Sequence, residues 1–286
     1  MEYVTLNNGV EVPKLGFGVY QIPQDSCERC VLNAIEVGFR HIDTAQSYLN
    51  EAEVGNAISH CGIDRKDLFI TTKVWIEFYG YEQTKVSIQK SLEKLKVDYI
   101  DLVLLHQPFG DYYSAYHALE DLYSQGILRA IGVSNFYPDR LADLAAFNKI
   151  VPQVNQVEVN PLFQQKEAQE NMTKLHIQMA AWSPFGHGSS DIFHHPMLLK
   201  LATQHHKSAA QVVLRWLMQR DIITLVKSTH MERMKENFDI FDFTLMQKDL
   251  EEISALDTNT SLFFDHRTPD AVDRFVSLIR EKRGKI

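Results

Sequence analysis

Short apolar runs recur along the chain, and longer segments with a helical spacing of apolar positions separate them. Seven of these runs end on a polar or aromatic side chain, and the ends are Asp43, Lys73, His106, Ser134–Asn135, Gln156, Trp182 and Lys227. This alternation is typical of repeated strand–helix units. In a closed parallel barrel the carboxyl ends of the strands meet on one face, where the loops build the active site. The pattern therefore predicts an α/β fold, the TIM (β/α)8 barrel, with its site at these run ends.

The barrel pattern extends over most of the chain without an obvious linker. Near-continuous apolar character is typical of buried parallel strands. We predict one domain over residues 1–286, with one helix, 208–220, between the last two strands. The predicted strands are 14–20, 39–43, 68–74, 99–106, 128–135, 152–159, 177–183 and 222–227. The other predicted helices are 25–37, 51–59, 81–95, 113–125, one from Pro138, 164–175 and 231–241.

Both ends of the chain carry additions to the barrel pattern. Val4 to Leu6 and Val10 to Val12 flank Asn7-Asn8-Gly9, and Asn-Gly supplies the positive φ angles of a tight hairpin turn. We expect this N-terminal hairpin to close the bottom of the barrel. Residues 246–256 and 269–282 are predicted to form extra C-terminal helices.

A doubly wound dinucleotide-binding fold is the main competitor of the barrel. Its fingerprint is G-x-G-x-x-G between a strand and a helix. The nearest match, Gly16 to Gln21, lacks the third glycine, and turn residues follow it instead of a helix. We therefore reject this fold.

Composition excludes several classes of protein. The 286 residues are 45% hydrophobic and 23% charged, and the net charge is −8, so nucleic acid is not an expected partner. No apolar run approaches the roughly 18 residues of a membrane span, and the N-terminus lacks the pattern of a signal peptide. Three cysteines, an odd number, argue against a disulfide framework. We expect a cytoplasmic protein without a membrane partner.

Two local patterns resemble metal or redox sites. Cys27-x-x-Cys30 lies within an amphipathic helix pattern, and a zinc site usually needs about four ligands. We interpret it as a helix with two incidental cysteines. The pairs His194-His195 and His205-His206 have no acidic partner at a ligand-like spacing, so we expect solvated histidines. No metal is expected.

Seven segments at the predicted strand ends carry a resemblance to a known family. They are GFRHIDTAQSY, TTKVW, LVLLHQP, GVSNF, QVEVNP, AWSPFG and LVKSTHMERMKEN, in this order along the chain. On these motifs the chain is identified as a member of the aldo-keto reductase superfamily, of the bacterial, short-loop type. The resemblance covers the chain from the hairpin to about Phe243.

The resemblance implies a catalytic set of Asp43, Tyr48, Lys73 and His106. Carbonyl reduction needs a proton for the developing alkoxide, and a free phenol titrates near about 10. We expect the Lys73 ammonium to pull the pKa of Tyr48 downward, with Asp43 holding the lysine. His106 is expected to donate to the substrate oxygen.

The resemblance also implies binding of NADPH/NADP+. Ser134, Asn135 and Gln156 are expected to bind the nicotinamide carboxamide, and Trp182 stands where many members have a stacking tyrosine. The expected pyrophosphate loop is Ser183, Pro184, Phe185 and Gly186. The expected binders of the 2′-phosphate are Lys227, Ser228 and Arg233, and those of the adenine are Glu236 and Asn237.

The function expected from this resemblance is NADPH-dependent reduction of an aldehyde or ketone, an oxidoreductase reaction on CH–OH or carbonyl groups. Candidate walls of the substrate pocket are Tyr20, Trp75, Phe78 and Gln107. The short segment after His106 predicts an open pocket for small carbonyl compounds, and a monomer is expected.

Two other functions remain open at this point. One is a binding protein that senses nicotinamide redox state with little turnover. The other is a metal-dependent barrel hydrolase that uses His41, Asp43 and His106.

Overall fold

The structure is a computed structural model that describes residues 1–186 and 190–282. Eight parallel strands form a closed barrel, in which the last strand pairs with the first. The barrel strands are β3 (Leu15–Gly18), β4 (His41–Asp43), β5 (Phe69–Val74), β6 (Ile100–Leu105), β7 (Leu128–Ser134), β8 (Val154–Glu158), β9 (Gln178–Trp182) and β10 (Ile223–Val226). The barrel predicted from the apolar runs is thus confirmed.

Helices surround the barrel and continue beyond its last strand. In the described part of the chain they are α1 (Gln24–Val37), α2 (Glu51–His60), α3 (Tyr81–Leu95), α4 (Tyr112–Ser124), α5 (Pro138–Phe147), α6 (Lys166–Lys174), α7 (Ser190–Phe193), α8 (Pro196–His205), α9 (Ala209–Gln219), α10 (Met231–Phe238), α11 (Gln247–Ser254) and α12 (Pro269–Lys282). The predicted C-terminal helices are present as α11 and α12.

The segment between β9 and β10 contains more helix than the sequence pattern indicated. We expected one helix there, and the structure has α7 and α8 ahead of α9. The signal for α8 is local: Pro196 occupies its first turn, and the His195 side chain accepts a hydrogen bond from the Met197 N–H. Proline fits the first helical turn because no intrahelical partner is lost there.

The N-terminal hairpin closes the bottom of the barrel, as predicted. Strands β1 (Tyr3–Thr5) and β2 (Glu11–Pro13) pair antiparallel. Val4, Leu6 and Val12 pack against inward-facing barrel residues, among them Phe69 and Leu104. The turn is also fastened to the barrel loops, since the Asn7 side chain donates to the backbone oxygens of residues 152 and 176. The open end of the barrel is therefore the opposite face, where the strands end.

The cysteine and histidine pairs have different environments. Cys27 and Cys30 are free thiols buried in α1, and burial raises the pKa of Cys27 to about 12, which makes it a poor nucleophile. His194 and His206 are exposed, as expected. The expectation of a solvated His205 was wrong, because its Nε2 lies 2.8 Å from an Asp249 oxygen. This partner is distant in sequence, so local spacing gave no sign of it.

None of the helices in the described ranges, 1–186 and 190–282, has the length and apolar character needed to cross a bilayer.

Candidate active site

A buried lysine at the open end of the barrel connects an aspartate to a tyrosine. Lys73 lies in β5 with 1% of its surface exposed, and its Nζ donates to Asp43 Oδ1 at 2.5 Å. The same ammonium donates to the Thr44 carbonyl at 3.1 Å and to the Tyr48 hydroxyl oxygen at 3.4 Å. Because Lys73 is the donor, the Tyr48 hydrogen is available to another acceptor. The three side chains form one hydrogen-bonded unit.

His106 stands beside this unit at the end of β6. Its ring meets the Tyr48 ring edge-to-face, with 5.7 Å between centroids, and the Trp75 ring similarly at 5.3 Å. The Ser47 hydroxyl lies 3.4 Å from His106 Nδ1. The four residues that the sequence singled out for catalysis therefore meet at one place.

The ionisation of the unit differs from the expectation based on sequence. Burial raises the pKa of Tyr48 well above its ordinary value, and the nearby Asp43 adds to the rise. Burial lowers the pKa of Lys73, and Asp43 opposes this. The expectation that Lys73 pulls the Tyr48 pKa below its ordinary value was wrong for the folded chain, because removal from water disfavours the phenolate more strongly. Tyr48 consequently keeps its proton at neutral pH.

A short loop between β4 and α2 carries Tyr48, and two amides that the sequence reasoning missed hold it in place. The Gln46 side chain donates to Ser91 Oγ and accepts a hydrogen bond from the backbone N–H of Trp75 at 2.9 Å. Asn50 donates to the carbonyl oxygens of residues 19 and 22 and accepts the Thr44 hydroxyl. Both amides are buried. Their place between a strand end and a helix start was the available signal, but their partners lie in other units of the barrel.

Amide and hydroxyl groups line the neighbouring strand ends. Gln156 Nε2 donates to Asp43 Oδ2 at 2.9 Å, and Ser134 Oγ donates to the Gln156 carbonyl. Asn135 adopts the left-handed conformation with φ 65°, and its Nδ2 donates to the His106 carbonyl. Trp182 Nε1 donates to Asn135 Oδ1 at 2.9 Å. The structure thus joins the residues expected at the nicotinamide to the Asp43–Lys73–Tyr48 unit.

The remaining candidate cofactor residues follow β9 and β10. Residues 183–186 form a turn closed by the Gly186 N–H on the Ser183 carbonyl, with Pro184 buried and Phe185 against Phe193. Lys227, Arg233 and Glu236 are exposed, whereas Asn237 and Ser228 are buried. The Ser228 hydroxyl accepts the His230 N–H just before α10.

The four candidate pocket residues surround the same mouth. The Tyr20 side chain is 57% exposed, and its ring lies 5.0 Å from that of Tyr48. Trp75 and Gln107 are buried, and Phe78 is half-buried. The buried Tyr79 hydroxyl fixes the backbone of Gln107: it donates to the backbone carbonyl oxygen of Gln107 and accepts a hydrogen bond from its backbone N–H. Tyr79 is another residue that the sequence reasoning missed.

The C-terminal segment covers part of this mouth. Phe275 of α12 packs against Trp75 and Phe109, with ring centroids 6.1 Å and 5.3 Å apart. Phe263 meets the Trp182 ring edge-to-face at 4.9 Å. The expectation of an open pocket rested only on the short segment after His106 and missed this wall. The wall comes from the tail, where the family resemblance is weaker.

His266 lies in the tail between aromatic rings. It is 6% exposed, and the rings of Phe109 and Phe275 stack against it. Burial lowers its pKa to about 4, although Asp265 opposes this. The unfolded chain, with a histidine pKa near about 6.5, binds more protons between these values. The contribution of His266 to stability is therefore present above about pH 6.5 and lost as the pH falls toward 4.

Replacement of His266 by phenylalanine should remove this dependence. We expect the loss of unfolding free energy between pH 7 and pH 5 to be about 1–2 kcal/mol smaller in His266→Phe than in the parent chain. Urea unfolding at both pH values measures the difference, and the exposed His117, changed to glutamine, is the control. Equal pH dependence in the parent chain and His266→Phe would contradict the neutral, buried state of this ring.

His41 does not have the environment of a metal ligand. Its Nδ1 lies 3.3 Å from the Pro13 carbonyl oxygen and its Nε2 lies 2.9 Å from Thr71 Oγ1, so both ring nitrogens have protein partners. Asp43 is bonded to Lys73 and Gln156. In residues 1–186 and 190–282, no group of three or more His, Cys, Asp or Glu side chains is arranged to hold a metal ion. This arrangement argues against the hydrolase alternative.

Comparison with known proteins decides the family. The sequence profile described as the aldo/keto reductase family matches residues 14–258. The chain belongs to this family. Among curated aldo/keto reductases, it is 46% identical to the glyoxal reductase of Bacillus subtilis over 255 residues, 88% of this chain and 92% of the relative.

Solved structures of aldo/keto reductases have the same architecture. An enzyme from a Medee basin deep-sea metagenome library superposes with a TM-score of 0.91 at 40% identity, covering 93% of this chain and 98% of the other. The Bombyx mori aldo-keto reductase in complex with NADP superposes with a TM-score of 0.87 at 33% identity, covering 92% and 95%. This chain therefore belongs to the aldo/keto reductase family and has the (β/α)8 barrel of these structures.

Proposed function

We propose that this protein reduces an aldehyde or ketone with NADPH, with Tyr48 as the proton donor. The observation that carries the proposal is the Lys73 ammonium, which bonds both Asp43 and the Tyr48 oxygen in a buried site. That geometry leaves the phenol hydrogen free to point toward a substrate oxygen. The names of the relatives add support, since one is a glyoxal reductase and one solved relative contains NADP.

The residues present fit a nicotinamide nucleotide with a 2′-phosphate. Lys227 directly follows β10, and Arg233 lies in the first turn of α10; both are exposed cations, and neither forms an ion pair with a carboxylate in the described part of the chain. A helix start favours an anion, and two cations add to this preference. At the other end, the polar groups of Ser134, Asn135 and Gln156 form one buried set beside Tyr48.

When bound, the cofactor would supply a hydride from C4 of its nicotinamide to the carbonyl carbon. Tyr48 gives its proton to the substrate oxygen as negative charge develops there. The resulting phenolate lies against the Lys73 ammonium, which lowers the free energy of the charged form. Asp43 keeps the ammonium in place and balances its charge. His106 orients the substrate oxygen by donating a hydrogen bond.

Ser134, Asn135 and Gln156 would hold the carboxamide, and Trp182 would support the ring face. Residues 183–186 would face the pyrophosphate, and Lys227, Ser228 and Arg233 would bind the 2′-phosphate. Glu236 and Asn237 would contact the adenine. Tyr20, Trp75, Phe78 and Gln107 line the substrate pocket, together with the C-terminal wall.

The substrate is inferred to be a small carbonyl compound such as glyoxal or methylglyoxal. A panel of sugars, ketoacids, methylglyoxal and aromatic aldehydes, followed by NADPH absorbance, tests the proposal. If no compound in the panel causes a decrease in NADPH absorbance, the result opposes the proposed reductase activity and favours a redox-sensing binding protein. We further infer a cytoplasmic monomer with one domain over residues 1–286.

Arg233→Ala is expected to weaken the binding of NADPH much more than the binding of NADH, because only NADPH carries the 2′-phosphate. A charge-assisted contact of this kind corresponds to a loss of about ten- to a hundredfold in affinity. Fluorescence titration with both cofactors measures the loss. Lys235→Ala, on the same helix but paired with Glu232, is the matched control. An equal loss of affinity for NADPH and NADH would mean that Arg233 has another role.

A further inference from the structure

A carboxyl group at the end of β8 fastens the C-terminal tail to the mouth of the barrel. Glu158 is 4% exposed, and its Oε2 accepts the Ser261 hydroxyl at 2.6 Å. Its Oε1 accepts the Leu262 N–H at 3.0 Å and Asn160 Nδ2 at 3.1 Å. We call residues 261–263 the tail clasp. This buried carboxyl group lies two residues beyond Gln156 and has no part in the proposed chemistry.

The tail clasp contacts two parts of the proposed cofactor edge. Phe263 packs edge-to-face on Trp182, which is the neighbour of Glu158 in the β8–β9 register. Leu262 covers Gly186 so closely that a Cβ on Gly186 would lie 2.7 Å from Leu262 Cδ1. The clasp thus rests on both the expected ring platform and the turn expected along the pyrophosphate.

The Ser261 hydroxyl, which donates to Glu158, also forms hydrogen bonds within the C-terminal tail. Ser261 Oγ accepts the N–H groups of Phe263 and Phe264 at 3.0 Å and 3.1 Å while it donates to Glu158. With two acceptor positions of the hydroxyl in use, the hydrogen of Ser261 needs the carboxyl oxygen. Glu158 therefore sets the position of the whole clasp.

We propose that Glu158 is a positioning residue that holds the tail clasp on Trp182 and Gly186 and thereby strengthens the retention of the nicotinamide cofactor. This inference rests on the proposed function for the identity of the cofactor. It concerns the part of the cofactor that NADPH and NADH share, since the clasp contacts the ring platform and the pyrophosphate turn. Its effect must therefore be the same for both nucleotides, unlike that of Arg233.

Glu158→Gln tests the proposal with little change in volume. The new amide has two possible orientations, and in each its NH2 replaces a carboxyl oxygen. In one orientation the NH2 faces the Leu262 N–H, and in the other it faces the Ser261 hydroxyl oxygen, which already accepts two hydrogen bonds. Either way, one hydrogen-bond donor is left opposite another donor. We expect the dissociation constants of NADPH and NADH to rise by the same factor, about tenfold. Amide hydrogen exchange at Leu262 and Phe263, measured without cofactor, should also become faster by about tenfold.

Two further variants separate the clasp from general destabilisation. Ser261→Ala removes the other half of the contact, and the double variant Glu158→Gln/Ser261→Ala should weaken cofactor binding no more than either single change. Glu120→Gln is the matched control, because Glu120 is also a buried carboxyl group that accepts a backbone N–H, that of Ile150, but lies in α4 away from the mouth. It should leave both dissociation constants and the exchange of the clasp unchanged.

The results distinguish this proposal from the proposed function. Suppose that the parent chain binds NADPH. If Glu158→Gln then binds both nucleotides as tightly as the parent chain does, or loses affinity for NADPH but not for NADH, the clasp proposal is overturned and the proposed function stands. Additive losses in the double variant, or unchanged exchange at Leu262 and Phe263, overturn it equally. If the parent chain binds neither nucleotide, the proposed function itself fails, and the inference about cofactor retention fails with it.

Discussion

Tyr48→Phe is expected to abolish carbonyl reduction while NADPH still binds with nearly the parent affinity. The substitution removes the hydroxyl that donates the proton and keeps the ring, which packs against Tyr20 and His106. General acid catalysis contributes roughly 100- to 10,000-fold, so we expect a loss of that size in the single-turnover rate. Stopped-flow mixing of the NADPH-loaded variant with aldehyde measures it.

The matched control is Tyr116→Phe. Tyr116 is fully buried on α4, and its hydroxyl donates to the Ile150 carbonyl, far from the mouth. This variant loses a buried hydrogen bond and some stability, but its rate should stay close to that of the parent chain. If Tyr48→Phe keeps more than about a tenth of the parent rate, Tyr48 is not the acid.

Lys73→Met is expected to lower the rate through its effect on Tyr48. Without the ammonium, the phenolate that forms after proton transfer has no opposite charge 3.4 Å away. The pKa of Tyr48, already raised by burial, rises further. Activity that needs the protonated phenol is present below this pKa and is lost above it, so the alkaline arm of the rate profile moves to higher pH. We expect a rate loss of about 100-fold or more at neutral pH.

A second ion-paired lysine provides the control for Lys73→Met. Lys14 pairs with Asp221 at 2.5 Å next to β3, at the bottom of the barrel, and its side chain is largely buried. Lys14→Met should cost stability without a change in the pH–rate profile. An unchanged alkaline arm in Lys73→Met, together with a defect only in cofactor binding, would contradict the coupling of Lys73 to Tyr48.

The barrel was predictable because its signal is local and repeated. Each strand is a short apolar run, and each is followed by a segment with helical spacing, so eight weak signals support one architecture. The hairpin was equally predictable from Asn8-Gly9 between apolar pairs. The catalytic candidates came from the resemblance of the motifs to the family, and the fold agrees with them, since Asp43, Lys73 and His106 lie at or next to the ends of their strands.

The C-terminal wall was beyond the reach of pattern analysis. Phe263 and His266 lie in an irregular segment without a period of apolar positions, and their contacts are with residues far away in the chain. The Glu158–Ser261 bond spans 103 positions. Helix α8 was missed for a different reason, because its only marker was a proline after paired histidines.

The ionisation of the site was also not predictable from residue types. A lysine near a tyrosine suggests a lower tyrosine pKa, but the direction depends on how strongly each group is removed from water. In the folded chain Lys73 is almost fully buried, and burial dominates the titration of both groups. Only the three-dimensional arrangement shows that burial favours the protonated form of Tyr48, and in the proposed mechanism the ammonium therefore acts on the phenolate after proton transfer.

Hydride transfer from labelled cofactor distinguishes a carbonyl reductase from a redox-sensing binding protein. NADPH with deuterium at C4 is mixed with the parent chain and methylglyoxal or glyoxal, and the alcohol product is analysed by mass spectrometry. We expect deuterium on the former carbonyl carbon in the parent chain and no product above background in Tyr48→Phe. Tight NADPH binding without deuterium transfer to any member of the carbonyl panel would contradict the proposed reductase activity and would favour a redox-sensing role.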